Sequence, residues 1–346
     1  MKLIYHGAFW PGSTSRQRLE AFAEVGGVEV LAHDSLMRPG EPTNLYERIR
    51  WRSGWPVDRV REVERLTQFV ASQRPDAVLV DSSKVIGPSV LRHLRRLGVR
   101  ALGFYTPDDA MNPLNLKRPL KASLSEWDVF FTTKTFNLPE LRTAGVRDPR
   151  LVGKAFDPDL HRPLGRVEVG DDYERFDLVF AGSCERERLA SLNALCEAGH
   201  SVVVYGGDIG KWRIKDLHPN IVARPAAFDQ AYVRALHHGK LALGFLRKMN
   251  RDLITQRTME ITASGRPMLA EKTEEHDAHF IDGVEYAGFG SDADLVALAG
   301  RYLRDDDARL ELGRHGRLRC LNSGYSTLDR AREMITALKG VVEAAG

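Results

Sequence analysis

Residues 250–280 read NRDLITQRTMEITASGRPMLAEKTEEHDAHF, and the pattern sets a short helix ahead of a buried strand. Thr255 is placed to cap the helix, Met259 and Ala263 stand four apart on one face, and Gly265 with Pro267 ends it. The apolar run Pro267-Met268-Leu269-Ala270 follows as the strand, and Glu271 to His276 reads as a polar loop. Arg257 and Glu260 are three apart, so they project from one side of the helix near its start. A helix start offers unpaired N–H groups and the positive end of a dipole. With a guanidinium beside it, it suits a phosphate or diphosphate. A carboxylate one turn further on can accept hydrogen bonds from ribose hydroxyls, and the arrangement then suits a sugar nucleotide. The same pair on a solvated face would be an ordinary surface ion pair, and spacing alone does not separate the two.

The alternation extends outward on both sides. Upstream, Phe176 to Ala181 (FDLVFA) is a strand, Gly182-Ser183-Cys184-Glu185-Arg186 opens a helix carrying Leu189, Leu192 and Leu195, and Val202 to Tyr205 is the next strand. A Gly-Ser turn into a helix lets phosphate approach backbone amides, with Arg186 or Arg188 in reach. Strands at Asn220 to Arg224 and Lys240 to Leu246 flank a helix over Phe228 to His238. Downstream come helices over Asp294 to Leu303, Ala308 to Cys320 and Thr327 to Ala345. The run Asp305-Asp306-Asp307 reads as a helix cap rather than a metal site.

The first half repeats the rhythm. Leu3-Ile4-Tyr5, Val28 to Leu31, Asp76 to Asp81, Arg100 to Tyr105 and Asp128 to Thr132 are strands separated by helices. The fold class expected is therefore α/β, with two Rossmann-like doubly wound parallel-sheet domains. We expect residues 1–165 as the first, residues 175–325 as the second, and residues 326–346 as a helix returning to the first. The loop after the first strand has Gly7 and Gly12 but no G-x-G-x-x-G, so dinucleotide binding there has no support. Asp108 and Asp109 end a strand, where α/β sheets bind ligands. One could act as a general base, or Asp109 could merely cap a turn after Pro107.

Bulk composition bounds the rest. The chain has 346 residues, 43% hydrophobic and 28% charged, with a net charge of +3, as in ordinary globular proteins, and nothing marks a nucleic-acid partner. Three widely spaced cysteines argue against a disulfide framework or a zinc site. No apolar run approaches the ~20 residues that cross a bilayer. A cytoplasmic protein is expected, with peripheral contact at the inner face of the membrane left open.

Residues 38–66 break the rhythm. Arg48, Arg50 and Arg52 interleave with Tyr46, Trp51 and Trp55. They read either as an interfacial surface for an anionic lipid or glycan, or as a helical insertion whose tryptophans pack inward under the arginines. Packing is the expected reading.

The full segment Arg257, Glu260, Ile261, Ala263, Gly265, Pro267, Leu269, His276, Phe280, Asp282, Gly283, Glu285 and Tyr286 resembles the nucleotide-sugar signature of group 1 glycosyltransferases. The nearer likeness is to the spore-maturation (CgeB-type) branch. The resemblance implies a GT-B enzyme whose two domains face across a cleft, with the donor on the second and the acceptor on the first. It implies a nucleoside-diphosphate sugar of UDP or GDP type as donor substrate, no cofactor or metal, and a glycan, lipid-linked or small-molecule acceptor in cell-surface polysaccharide assembly. Gly182, Ser183, Arg186, Tyr205, Gly206, Asn250, Arg257, Glu260 and His276 would hold the donor, with Gly207 beside the nucleobase. His6, Phe9, Ser13 and Lys134 would line the acceptor side, and Asp108, Asp109 and Arg257 would act in catalysis. Many retaining members carry Glu-x7-Glu. Here Asp252 stands eight residues before Glu260, which puts the expected retention of configuration in doubt. A nucleotide-sugar epimerase and a silent sugar-nucleotide-binding or assembly protein are the alternatives on the same fold.

Overall fold

Strand runs that are apolar on both faces fold into two parallel sheets of six strands each, with helices against both sides. The computed structural model describes residues 1–36, 44–206 and 217–346. The chain divides into two units, Met1–Gly153 with Thr327–Gly346, and Lys154–Ser326. This division precedes the polar stretch 165–174 at which composition places it, and residues 154–165 belong with the second unit.

In unit 1 the strands are β1 (Lys2–Gly7), β2 (Glu29–Asp34), β3 (Ala77–Asp81), β4 (Ala101–Thr106), β5 (Val129–Thr132) and β6 (Pro149–Leu151), in spatial order β2-β1-β3-β4-β5-β6. Between them run α1 (Thr14–Glu24), α2 (Leu45–Arg52), α3 (Glu62–Gln73), α4 (Pro88–Arg96), α5 (Arg118–Ser123) and α6 (Asn137–Thr143). Every residue of β3 and β4 is buried, which is why AVLVD and ALGFYT carry apolar side chains towards both layers. One face of the sheet packs Leu66, Val70, Leu91 and Leu94 of α3 and α4. The other packs Ala21 and Phe22 of α1 with Met334, Ile335 and Leu338 of the last helix.

In unit 2, α7 (Arg166–Val169) leads into β7 (Phe176–Ala181), α8 (Arg186–Glu197), β8 (Val202–Tyr205), β9 (Ile221–Arg224), α9 (Asp229–Leu236) and β10 (Gly239–Gly244). Then follow α10 (Gln256–Ala263), β11 (Met268–Glu271), α11 (Glu274–His279), β12 (Ala287–Phe289), α12 (Asp292–Arg304) and α13 (Asp306–Asn322). The order β12-β11-β10-β7-β8-β9 reverses direction between β7 and β10. The chain ends in α14 (Thr327–Ala344), which packs on α1 and β4 of unit 1.

Two local readings change. The stretch after β11 is not loop alone. Thr273 accepts a hydrogen bond from the His276 N–H and starts α11. Residues 45–52 do form a helix, but none of them is buried, and Tyr46 and Trp55 are exposed. Only Trp51 is held inward, with Lys117 Nζ 4.3 Å and Lys84 Nζ 5.1 Å from its ring centre. The expected inward packing of the tryptophans therefore holds for Trp51 and not for Trp55, because the lysines supply a seat for one ring only.

Candidate donor site at the carboxyl edge of the second sheet

An open α/β sheet leaves a crevice at the carboxyl ends of the strands where its order reverses. In unit 2 that point lies between β7 and β10. β7 runs out at Ala181-Gly182-Ser183, beside the end of β8 at Tyr205-Gly206. Gly182 N–H donates to the Tyr205 carbonyl at 2.9 Å, and Gly206 N–H to the Arg224 carbonyl at 3.2 Å. The backbones approach so closely that a Cβ on Gly206 would stand 2.6 Å from the Gly182 carbonyl oxygen. Any side chain would push the strands apart, so glycine is required by contact rather than by φ.

α10 points its start at this place. Arg257 donates from Nε to the Ala181 carbonyl at 2.6 Å, and its guanidinium lies 3.2 Å from where a Gly182 side chain would begin. That single bond pins the head group beside two glycines and the first turn of the helix. Glu260, one turn on, is buried at 8% exposure with the His161 ring nitrogen Nε2 at 4.0 Å. His161 Nδ1 accepts from the Asp157 N–H at 2.9 Å, so its proton sits on Nε2, facing Glu260. Tyr232 stands edge-on to His161, and burial together with the Glu260 charge raises its phenol pKa well above 10. His161 and Tyr232 are the partners that motif reading did not pick out. The signal was the passage Phe156-Asp157-Pro158 with His161 and Pro163, which has no local periodicity to mark it.

More positive charge gathers at the same edge. Arg186 is exposed as the first residue of α8, whereas Arg188 is buried and donates to the carbonyls of Ser183 and, at 2.8 Å, Leu246. It ties the loop after β7 to the loop after β10. Burial lowers the Arg188 pKa. Glu185 and Glu271 raise it, while Arg257 and Arg247 lower it further. Three guanidinium groups thus sense one another where the sheet reverses. A cavity of about 430 Å³ adjoins the site, lined by Arg188, Phe245, Lys248, Glu271 and Asp292 among others, but not by Arg257, Glu260 or Tyr205.

Other residues expected at the donor are placed differently. Ser183 is exposed on the turn, and Asn250 donates to Asp252 at 2.8 Å within the loop after β10. The Tyr205 hydroxyl is engaged by His238 and by Arg224, at 2.8 Å, and Arg224 in turn holds Asp172 at 2.7 Å. His276 is turned inward. It is fully buried, with Nε2 3.0 Å from the Thr258 hydroxyl and Nδ1 3.1 Å from the Thr273 hydroxyl, and burial pushes its pKa down to about 4. It holds α10 to α11. Gly207 lies outside the described residues.

In unit 1 the sheet reverses between β1 and β3, and the polar groups there are internal. His6 is fully buried between Glu62, at 2.8 Å from Nε2, and His33, at 2.8 Å from Nδ1. Ser13 caps α1, accepting from Arg16 N–H at 3.2 Å and donating to the Ala8 carbonyl at 2.7 Å. Phe9 packs on Tyr5, and Lys134 is buried. Asp109, also buried, accepts from Asn137 at 2.9 Å and from the Met111 N–H at 3.0 Å, which is the turn-capping role. Asp108 is partly exposed, and burial lowers the pKa of Lys84 while the Asp108 charge raises it. Of the groups expected on the acceptor side, Asp108 alone combines a carboxylate with exposure. Among the described residues no cluster of three or more His, Cys, Asp or Glu has the form of a metal site.

Solved structures share the whole of this architecture. Sucrose-phosphate synthase from Thermosynechococcus elongatus superposes with a TM-score of 0.71 at 14% identity, over 99% of this chain and 100% of that one. HepE of Anabaena, solved with UDP-glucose, gives 0.70 at 11% identity over 98% and 100%. The fold is that of the GT-B glycosyltransferases. A candidate UDP-N-acetylglucosamine 2-epimerase from Listeria monocytogenes has the same GT-B arrangement, with a TM-score of 0.57 at 12% identity over 99% and 97%. Residues 186–336 match the model of a family described as glycosyl transferase-like. No curated protein matches the sequence.

Proposed function

We propose that the chain is a glycosyltransferase of the CgeB-type branch, moving a sugar from a nucleoside-diphosphate donor to an acceptor hydroxyl with retention of configuration. The observation that carries the reading is the meeting of Arg257, the α10 start and the Gly182–Gly206 backbone contact where the second sheet reverses. A leaving diphosphate gains charge as the glycosidic bond breaks. A guanidinium and free helix N–H groups stabilise that charge more in the transition state than in the ground state. Glu260, with His161 Nε2 4.0 Å away, would accept from the ribose hydroxyls. The UDP-glucose complex of HepE supports a uridine donor. Asp108 is the carboxylate proposed to take the acceptor proton, and a glycan or lipid-linked alcohol is the proposed acceptor class.

A second reading has an observation of its own. His6, Ser13, Lys134 and Asp109 are all buried, and the bonds described for His6, Ser13 and Asp109 are internal to the protein, as a protein that binds a sugar nucleotide without transferring it would allow. Incubation with UDP- and GDP-linked hexoses, alone and with simple glycoside acceptors, separates the readings by mass spectrometry and proton NMR. Acceptor-dependent release of nucleoside diphosphate with an α-linked product from an α-linked donor supports transfer with retention. An epimerised donor without acceptor indicates the epimerase reading. Binding without turnover would sink the transferase assignment, and an unaltered transfer rate in Asp108→Asn would sink the role given to Asp108.

A further inference from the structure

Among the described residues of unit 1, α2 is the one element with no buried residue. Leu45, Tyr46 and Ile49 are 74%, 64% and 58% exposed. At about 100° per residue these three occupy one continuous arc of about 100°. Arg48 and Arg52, both exposed, flank that arc on one side, while Arg50 on the other is half-buried with its Nε covered. Glu47 points the opposite way, largely covered and paired with Arg59, so the charge the helix presents outward is positive. Trp51, on the covered side, is seated under Lys84 and Lys117, and Lys117 Nζ also donates to the Trp51 carbonyl at 3.3 Å. The helix is therefore fastened by its inner face and offers an apolar stripe edged by guanidinium groups. Trp55, 43% exposed, lies just beyond its end with Arg118 over the ring.

We propose that this face docks on an anionic lipid surface, with Leu45, Tyr46 and Ile49 entering the headgroup boundary and Arg48 and Arg52 meeting lipid phosphates. The charge decides the occupant. A hydrophobic partner protein or a second copy of this chain would have to cover the exposed guanidinium groups of Arg48 and Arg52 at the margin of the stripe. A bilayer with anionic headgroups supplies an apolar layer and a phosphate layer at the matching depths. A polyanion without an apolar phase would leave Leu45 and Ile49 in water. The proposal stands apart from the transferase reading, since docking needs neither nucleotide nor turnover.

The test is co-sedimentation of the full chain with phosphatidylcholine vesicles and with vesicles that also contain phosphatidylglycerol, in low and high salt. Binding to the anionic vesicles only, weakened by salt, is expected. Arg48→Ala with Arg52→Ala should lower partitioning about thirtyfold, and Leu45→Ser with Ile49→Ser about tenfold or more. All four side chains are exposed, so the variants should keep the wild-type melting temperature. That control separates lost docking from lost folding. No binding to anionic vesicles overturns the proposal. So does full binding by Leu45→Ser/Ile49→Ser, which would reduce the face to a charge patch. A wild-type dimer that this same variant dissociates, without vesicle binding, would assign the face to self-association instead.

Discussion

The two sheets reverse direction at corresponding places and use polarity there in opposite ways. In unit 1, Asp81 at the end of β3 is buried and takes hydrogen bonds on one oxygen from Tyr5 at 2.5 Å, Ser15 at 2.7 Å and Arg18 at 2.6 Å. Burial raises its pKa, but the Arg18 charge and the three donors outweigh it and hold the carboxyl below the ordinary range. In unit 2 the corresponding place holds two glycines in backbone contact and an arginine bonded to a carbonyl through one of its nitrogens. One end is closed by its own side chains. The other has had side chains removed from the backbone and a cation set beside the gap. A reversal point is thus an opportunity that a sheet either seals for stability or leaves for a ligand.

The comparison can be broken most forcefully at Asp81. Asp81→Ala leaves Arg18 charged in the interior and should cost ~3–5 kcal/mol in a urea or thermal unfolding series, while leaving nucleotide affinity in unit 2 intact. Arg257→Ala should do the reverse. We expect donor turnover to fall about 10²–10³-fold with the melting temperature nearly unchanged, because only one backbone-directed bond is lost. If Asp81→Ala abolished nucleotide binding in a folded protein, or Arg257→Ala unfolded it, the contrast would be wrong.

Acid sharpens the difference more gently. Burial lowers the pKa of His33 in unit 1 and of His237 and His276 in unit 2 from 6.5 to about 4. The unfolded chain takes up these protons as pH falls below 6.5, whereas the folded chain resists until near 4. Stability is therefore full above 6.5 and lost across that window, by roughly 1–3 kcal/mol per histidine. Scanning calorimetry between pH 7.5 and 4.5 should show the unit 2 transition moving further than that of unit 1. His276→Gln should reduce the difference. Smallest of the four, Gly206→Ala drives a Cβ into the Gly182 carbonyl and should destabilise unit 2 by ~1–3 kcal/mol, with weaker nucleotide binding in titration calorimetry.

The fold was legible because its information is local. Runs such as AVLVD, ALGFYT and FDLVFA are apolar on both faces, and only a strand covered on both sides needs that. The three-residue edge strands β6 and β12 carry no such run and did not show. At the site, Arg257 and Gly182 were readable from a turn and a helix start. The burial of His276 depends on Thr258, eighteen residues away, and no spacing rule reports that contact. His161 escaped for the same reason, since Glu260 becomes its neighbour only when the segment before β7 folds against α10. Asp108 and Asp109 are adjacent in sequence and differ in exposure, and Asp109 is held inside by Asn137 at the start of α6.

The central claim is that the carboxyl edge of the second sheet holds a nucleoside diphosphate between Arg257 and Glu260. A thermal-shift panel with UDP, GDP, CDP, dTDP and ADP on the wild type, Arg257→Ala and Glu260→Ala tests it most directly, because a ligand that binds only the folded state must raise its stability. The account predicts that one nucleotide raises the melting temperature of the wild type and that each substitution removes the rise without lowering the unliganded value. No shift from any of the five at millimolar concentration, or an equal shift in both variants, would contradict it.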